Sequence, residues 1–368
     1  MIDIKEMRCK ILILLIAFSP AVFAGGKGEK LKNANSQPKN IILMIGDGMG
    51  TTQVYAALTA KKGQLNMARC PYSGFVKTNS ADNYITDSGA GATAYATGQK
   101  TNNGYISISK DGKVLPTILE TAERHGLATG LVVTCAITHA TPAAFIAHTP
   151  NRDKYDDIAK DFLKTDIDVF IGGGRNNFNH RADSLNLLDS LRKHGYKVAA
   201  NLNDVDIKNT LKLAALIAPG HLPKESEGRG DMLSKASTMA LTILKRNKTG
   251  FFMMIEGSQI DWGGHDKNKD YVVSETVDFD NAVGTVLDFA AKNGETLVII
   301  TADHETGGLG LTGGSLATGT VEGSFICGDH TGVMVPLFAF GPGAEKFSGI
   351  QENTDVYKKM VELFGFSK

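Results

Sequence analysis

The sequence predicts an α/β sandwich on a large, mostly parallel sheet. Two observations carry the prediction. Short apolar runs alternate with amphipathic stretches along the chain, and several of those runs end on glycines and acids, as strands of an open parallel sheet do at a ligand crevice. In chain order the strand-like runs are 41–45, 75–78, 128–133, 168–171, 250–255, 296–300 and 335–340. The first is Ile-Ile-Leu-Met-Ile closed by Gly46-Asp47-Gly48, and the sixth is rich in β-branched residues and closed by Asp303-His304. Between them lie amphipathic stretches at 114–125, 184–194, 232–245 and 274–292, read as helices packed on the sheet. No internal repeat is present. The stretch 175–230 lacks motif residues and reads as a helical elaboration, and the Gly-rich 306–328 reads as a long loop near the mouth of a site.

The most informative segment is Thr86-Asp87-Ser88-Gly89-Ala90-Gly91-Ala92-Thr93-Ala94. It sets one hydroxyl among small residues where a strand-like segment gives way to a helix. The free N–H groups and positive dipole end of that helix favour an anion, so Ser88 reads as a nucleophile toward phosphate. A tight Gly/Ala turn capped by Asp87 or Ser88 is the alternative. Four further islands decide between them. Asp47 closes the first apolar run; Glu256, Asp261 and His265 fall within ten positions, the last two one helical turn apart; Asp303 and His304 are adjacent; and His330 stands in Gly328-Asp329-His330-Thr331-Gly332. Three imidazoles and four carboxylates suit zinc with mixed nitrogen and oxygen ligation beside a harder all-oxygen ion.

On these residues the chain resembles the alkaline phosphatase family, in order from about residue 40 to 364, and the segment 85–93 fits the family's nucleophile signature. The resemblance implies a three-layer α/β/α sandwich and hydrolysis of phosphate monoesters through a phosphoseryl intermediate on Ser88, with broad leaving-group tolerance and an alkaline optimum. It implies two Zn²⁺ and one Mg²⁺ per subunit. Asp261, His265 and His330 would hold the first zinc; Asp47, Asp303 and His304 the second. Glu256 and Thr141, with Asp47 bridging, would hold magnesium. Arg152 matches the family's phosphate-binding arginine, whose planar fork can hold two oxygens at once. Two positions depart from the best-known bacterial form: His139 stands in place of an aspartate and Trp262 in place of a lysine. His139 is expected to lie in the outer shell of the third ion, and Trp262 to wall the entrance. Family members are commonly dimers, so a homodimer is expected.

Composition agrees. Lys5, Arg8 and Lys10 precede an apolar run from 11 to 23 and then Ala24-Gly25-Gly26, which reads as a secretory leader over 1–24 and implies a periplasmic or secreted protein. No run approaches the roughly 20 apolar residues of a membrane span. Residues 25–39 read as a flexible arm, and 40–368 as one catalytic domain. Without the leader's three basic and two acidic residues, 36 basic and 37 acidic remain, a net charge of about −1 that gives no nucleic-acid-binding surface. Cys70, Cys135 and Cys327 are too few for a disulfide framework. A sulfatase would need proline two residues after Ser88, where Ala90 stands. A phosphodiesterase of the same superfamily, or a non-catalytic exported binder of zinc or phosphate, are the alternatives; Glu256 and Thr141 argue against the first, Ser88 and Arg152 against the second.

Overall fold

The computed structural model describes residues 37–366. The expected leader and the arm up to residue 36 lie outside them. The strands are β1 Asn40–Gly46, β2 Tyr72–Lys77, β3 Ala128–Ala136, β4 Val169–Gly173, β5 Lys197–Ala199, β6 Leu213–Leu216, β7 Phe251–Gly257, β8 Thr296–Thr301, β9 Glu305–Thr306, β10 Leu309–Ser315, β11 Thr320–Phe325, β12 His330–Thr331, β13 Val335–Phe340 and β14 Gly349–Glu352. The helices are α1 Thr51–Ala60, α2 Ser88–Thr97, α3 Ile118–Arg124, α4 Ala140–Ala143, α5 Tyr155–Asp161, α6 Asn176–Asn179, α7 Leu187–Lys193, α8 Met232–Leu244, α9 Ile260–His265, α10 Lys269–Asn293 and α11 Asn353–Phe364.

Ten strands form one sheet in the order β14-β2-β13-β8-β1-β7-β3-β4-β6-β5. Every neighbouring pair is parallel except those of β13, which runs antiparallel to both β8 and β2. All residues of β1, β3, β7 and β8 are buried. Helices cover both faces of these strands, which is why their sequences are continuous apolar runs rather than alternating ones. On one side α1, α8, α9 and α10 pack together; on the other α2 packs on α3, α4 and α11, completing a three-layer α/β/α sandwich.

Several boundaries differ from the sequence expectation for identifiable reasons. The stretch 114–125 becomes helical only at Ile118, because Thr117 caps the helix: its side chain accepts from the Glu120 N–H while Glu120 reaches back to the Thr117 N–H. The helix expected at 274–292 starts earlier, at Lys269, where the Asn268 side chain accepts from Tyr271 N–H, and ends at Gly294 in the left-handed region. The stretch 175–230 is not purely helical. Besides α6 and α7 it contributes β5 and β6, which extend the sheet at one edge. The expected loop at 306–328 is instead largely a hairpin, β10 paired antiparallel to β11, with a bulge between Leu311 and Gly313. The arm also stops short of its expected end: the Lys39 and Asn40 N–H groups both donate to the Glu295 carbonyl. Among the described residues no helix is long and apolar enough to cross a membrane, and Cys70, Cys135 and Cys327 are free thiols.

Candidate active site

Four adjacent parallel strands, β8, β1, β7 and β3, end at one edge of the sheet, and the candidate residues gather there. Asp47 follows β1, Glu256 is the penultimate residue of β7, Asp303 and His304 follow β8, and His139 and Thr141 follow β3 at the start of α4. Asp261 and His265 share one face of α9, and His330 is carried by β12, opposite Thr306 of β9. Ser88 is the first residue of α2. Two glycines permit this crowding. Gly48 has φ +74°, and a Cβ there would come within 2.6 Å of the Asp261 Cα. At Gly91 a Cβ would sit 3.0 Å from the Asp303 carbonyl oxygen, so the bare backbone lets α2 lie against the Asp303 turn without pushing it back.

The structure sorts the acidic and imidazole residues into three groups, each with its candidate ligand atoms within 4.8 Å of one another. The first is Asp261, His265 and His330. His265 Nδ1 lies 2.9 Å from the Gly328 carbonyl and His330 Nδ1 lies 2.9 Å from the Thr86 carbonyl. A carbonyl only accepts, so both Nδ1 atoms carry hydrogen, and both Nε2 atoms, 3.3 and 3.5 Å from Asp261 Oδ1, face that carboxylate. Lone pair against carboxylate is repulsive unless a proton or a cation lies between them. The pKa directions express the same demand for positive charge. The Asp261 carboxylate pushes His265 up to about 9. Burial alone would raise Asp261, but the two imidazoles overcome burial and hold it well below the usual carboxylate range.

The second group is Asp47, Asp303 and His304, all fully buried. Thr306 Oγ1 donates to Asp261, so at 3.2 Å from His304 Nδ1 it accepts from that ring. His304 Nε2 therefore presents a lone pair to Asp47 Oδ1 at 3.3 Å, Asp303 Oδ2 at 3.4 Å and Ser88 Oγ at 3.2 Å. Burial and the neighbouring His330 hold the ring far below its ordinary pKa, that is, neutral and able to ligate. Asp303 Oδ1 accepts from the Gly48 and His304 N–H groups. Asp303 Oδ2 and both oxygens of Asp47 have no hydrogen-bond partner. Buried carboxylate oxygens without donors are costly, and a divalent cation is the group that satisfies them. Two bare oxygens on Asp47 suit it to bridge two ions.

The third group is Cys135, His139 and Glu256. Glu256 Oε1, Thr141 Oγ1 and His139 Nδ1 are also buried without partners. Burial, then Arg152 and His221, push His139 down to about 3, so its ring is neutral. Trp262 meets it edge-on at 6.1 Å between ring centroids and meets His221 at 4.7 Å. The oxygen and nitrogen donors of the first two groups fit zinc; the third mixes those types with sulfur.

Asp87 organises the Ser88 end. One of its oxygens caps α2 by accepting from the Ala90 N–H at 2.8 Å, and the other accepts from the Gly104 N–H at 2.9 Å and from Arg152 at 2.8 Å. The guanidinium's second terminal nitrogen is 3.5 Å from His139 Nε2. Arg152 is thus tethered between Asp87 at the start of α2 and the His139 ring.

Sequence reasoning missed four residues: Cys135, Thr306, His221 and Glu305. Thr306 and Glu305 sit inside a ligand island, so their position was a signal; nothing local marks Cys135 or His221. Glu305 is buried with no cationic partner. Its carboxylate accepts from Gln53 Nε2 at 2.5 Å, from the Gly308 N–H at 2.9 Å and from Thr331. It ties β9 to α1 and to β12, which carries His330. Glu305→Gln turns an amide NH₂ toward these donors and is expected to lower stability by about 2 kcal/mol. Thermal unfolding checks this, and an unchanged melting temperature would remove the positioning role.

Comparison with known proteins places this arrangement. A family model described as "Alkaline phosphatase" matches residues 38–324. The chain is 31% identical to alkaline phosphatase 4 of Bacillus subtilis (strain 168), over 95% of this chain and 96% of that one. It superimposes on the alkaline phosphatase of the Antarctic bacterium TAB5 with a TM-score of 0.87 and 39% identity, covering 90% of this chain and 99% of that one. A histidine-to-aspartate mutant of the TAB5 enzyme, with magnesium bound in a site designated M3, gives a TM-score of 0.86 with the same identity and coverage.

Proposed function

Because this chain belongs to the alkaline phosphatase family, metal-binding enzymes that hydrolyse phosphate monoesters, we propose that its own hydrolysis runs through a covalent phosphoserine on Ser88. The observation that carries this reading is the placement of the Ser88 hydroxyl at the start of α2, 3.2 Å from a neutral His304 ring that also faces Asp47 and Asp303. We propose two zinc ions, one held by Asp261, His265 and His330 and one by Asp47, Asp303 and His304. Glu256, Thr141 and Asp47 would hold a third ion, magnesium in the family pattern, with His139 beside it. When bound, such cations supply Lewis-acid stabilisation of the attacking and leaving oxygens.

Ser88 Oγ gives up its proton and bonds to phosphorus while the bond from phosphorus to the alcohol oxygen breaks. The alcohol leaves with a proton. Water then cleaves the Oγ–phosphorus bond, releasing phosphate and restoring the hydroxyl. The N–H groups at the start of α2 face the anion. Arg152, held by Asp87, presents paired donors to the equatorial oxygens. Trp262 and His139, which meet edge-on, would wall the site beside Arg152. We further propose one catalytic domain over 40–368, export through the leader, a homodimer, broad leaving-group tolerance and an alkaline optimum. The length match to whole alkaline phosphatases supports the first, and the leader pattern the second.

Turnover of a phosphate monoester, a diester and a sulfate ester by one purified sample tests the reaction class. Monoester turnover well above the others is expected. Faster diester turnover would mark a phosphodiesterase, and no turnover a binder. Arg152→Ala removes a charge-assisted forked contact and is expected to lower kcat/KM by about one to three powers of ten with metal content unchanged. Unchanged kinetics and unchanged inhibition by phosphate would reject its role.

A further inference from the structure

Cys135 belongs to no part of the reaction described above, yet it is the penultimate residue of β3, fully buried at the inner end of the site. Its Sγ lies 3.5 Å from Glu256 Oε2 and 3.2 Å from the carbonyl of Ala136. Sγ, a His139 ring nitrogen and a Glu256 oxygen lie within 4.8 Å of one another. A tetrahedral ion with bonds of about 2.0–2.3 Å holds its ligand atoms about 3.5 Å apart, so a small inward shift closes the group on one ion. The thiol is not alone in pointing there. Glu256 and Thr141 are 0% exposed and His139 is 7% exposed, and Glu256 Oε1, Thr141 Oγ1 and His139 Nδ1 have no hydrogen-bond partner. The Cys135 sulfur meets a buried carboxylate, Glu256, whose other oxygen, Oε1, is left without a donor.

We propose that Cys135 is a thiolate ligand of the third ion, together with Glu256 and His139, so that this site takes a borderline ion such as zinc in preference to magnesium. Magnesium demands oxygen donors in octahedral array and gains little from sulfur or imidazole, whereas thiolate with imidazole and carboxylate is a zinc donor set. Binding exchanges the thiol proton for the ion, leaving a sulfur–metal bond. The inference rests on the three-ion reading of the centre and changes which ion the third position holds.

The full chain with Cys9→Ser, Cys70→Ser and Cys327→Ser keeps Cys135 as its sole thiol and leaves the proposed site intact. Loaded with zinc, it is expected to show a sulfur shell at about 2.3 Å in zinc X-ray absorption. Loaded with cobalt(II), it is expected to show a near-ultraviolet thiolate-to-cobalt charge-transfer band. Excess zinc should abolish that band and the same excess of magnesium should not. Cys135→Ser in the otherwise native chain should lose the band and shift the preference for zinc over magnesium by at least the tenfold or so that losing an outer-shell partner costs. No sulfur shell and no band in the sole-thiol protein, a band in Cys135→Ser, or bleaching by magnesium would each overturn the thiolate ligand. Monoester turnover by the same samples separates the two readings. An active enzyme without sulfur ligation overturns only the ligand, and sulfur ligation without turnover overturns only the catalytic reading.

Discussion

Ser88→Ala is expected to lower phosphate monoester turnover by roughly three powers of ten or more while zinc content stays near normal. On the phosphoserine proposal the side chain removed is the one whose oxygen would bond to phosphorus, leaving only slower attack by water in the same pocket. Zinc should be retained because Asp47, Asp303 and His304 still offer their ligand atoms from three buried positions, and the serine hydroxyl touches only His304 Nε2 among them. Ser88 is itself 2% exposed and begins a helix whose ten residues are all buried, so alanine fits without rearrangement. Acid quenching with labelled phosphate, followed by peptide mapping, gives the complementary readout. Label on another residue, or full activity in the alanine enzyme, would end the phosphoserine proposal.

Metal removal is expected to have the second large effect, and its pH dependence follows from the carboxylates. Burial, and then the charge of Asp261, push Asp303 from 3.8 up to about 6. Burial, reinforced by Asp303, pushes Glu256 from 4.5 up to about 7, and burial with three neighbouring acids raises Asp47 in the same direction. In the unfolded chain these groups release their protons near the ordinary values. These three carboxylates therefore lower the stability of the chelated protein as pH rises from about 4 to about 7, opposed over part of that window by His139, held down to about 3, and His304, held well below 6.5, which are neutral when folded and protonated when unfolded. His265, raised from 6.5 to about 9 by Asp261, is a base whose stabilisation is complete below about 6.5 and is lost as pH rises through about 9, extending the decline. Bound cations reverse the balance by ligating the ionised forms. A chelator should thus lower the melting temperature more at about pH 8 than at about pH 5, and abolish turnover at both. Calorimetry with and without chelator checks it; an equal or larger loss on the acid side would contradict this account of the buried carboxylates.

Much of the site is legible in the chain because its signals are local. A continuous apolar run that ends on Gly46-Asp47-Gly48 or on Asp303-His304 states both that a buried strand is present and that an acid stands at its carboxyl end. Asp261 and His265 are one helical turn apart wherever that helix lies. The small residues after Ser88 announce a helix start that can press against something. Short or edge elements were less legible. β5 and β6 have three and four residues and little intrinsic strand character, and they form because β4 offers a free edge. The hairpin of β10 and β11 reads as a loop because its glycines lack strand propensity and a bulge between Leu311 and Gly313 breaks its alternation, although its two strands are neighbours in the chain.

What the sequence by itself determined is the inventory: a serine at a helix start, acids and imidazoles at strand ends, and an arginine. What only the tertiary structure decided is which of them stand within reach of one another and what else stands among them. Strand order β8-β1-β7-β3 brings Asp47 beside Asp303, 256 positions away in the chain, and sets Cys135 against Glu256, 121 positions away. It lets the carboxylate of Glu305, next to His304, hold β9 to α1 and β12. The reason is physical: a residue's type is carried by the residue, whereas the unpaired lone pairs that demand a cation exist only after folding has removed water and left those atoms without donors.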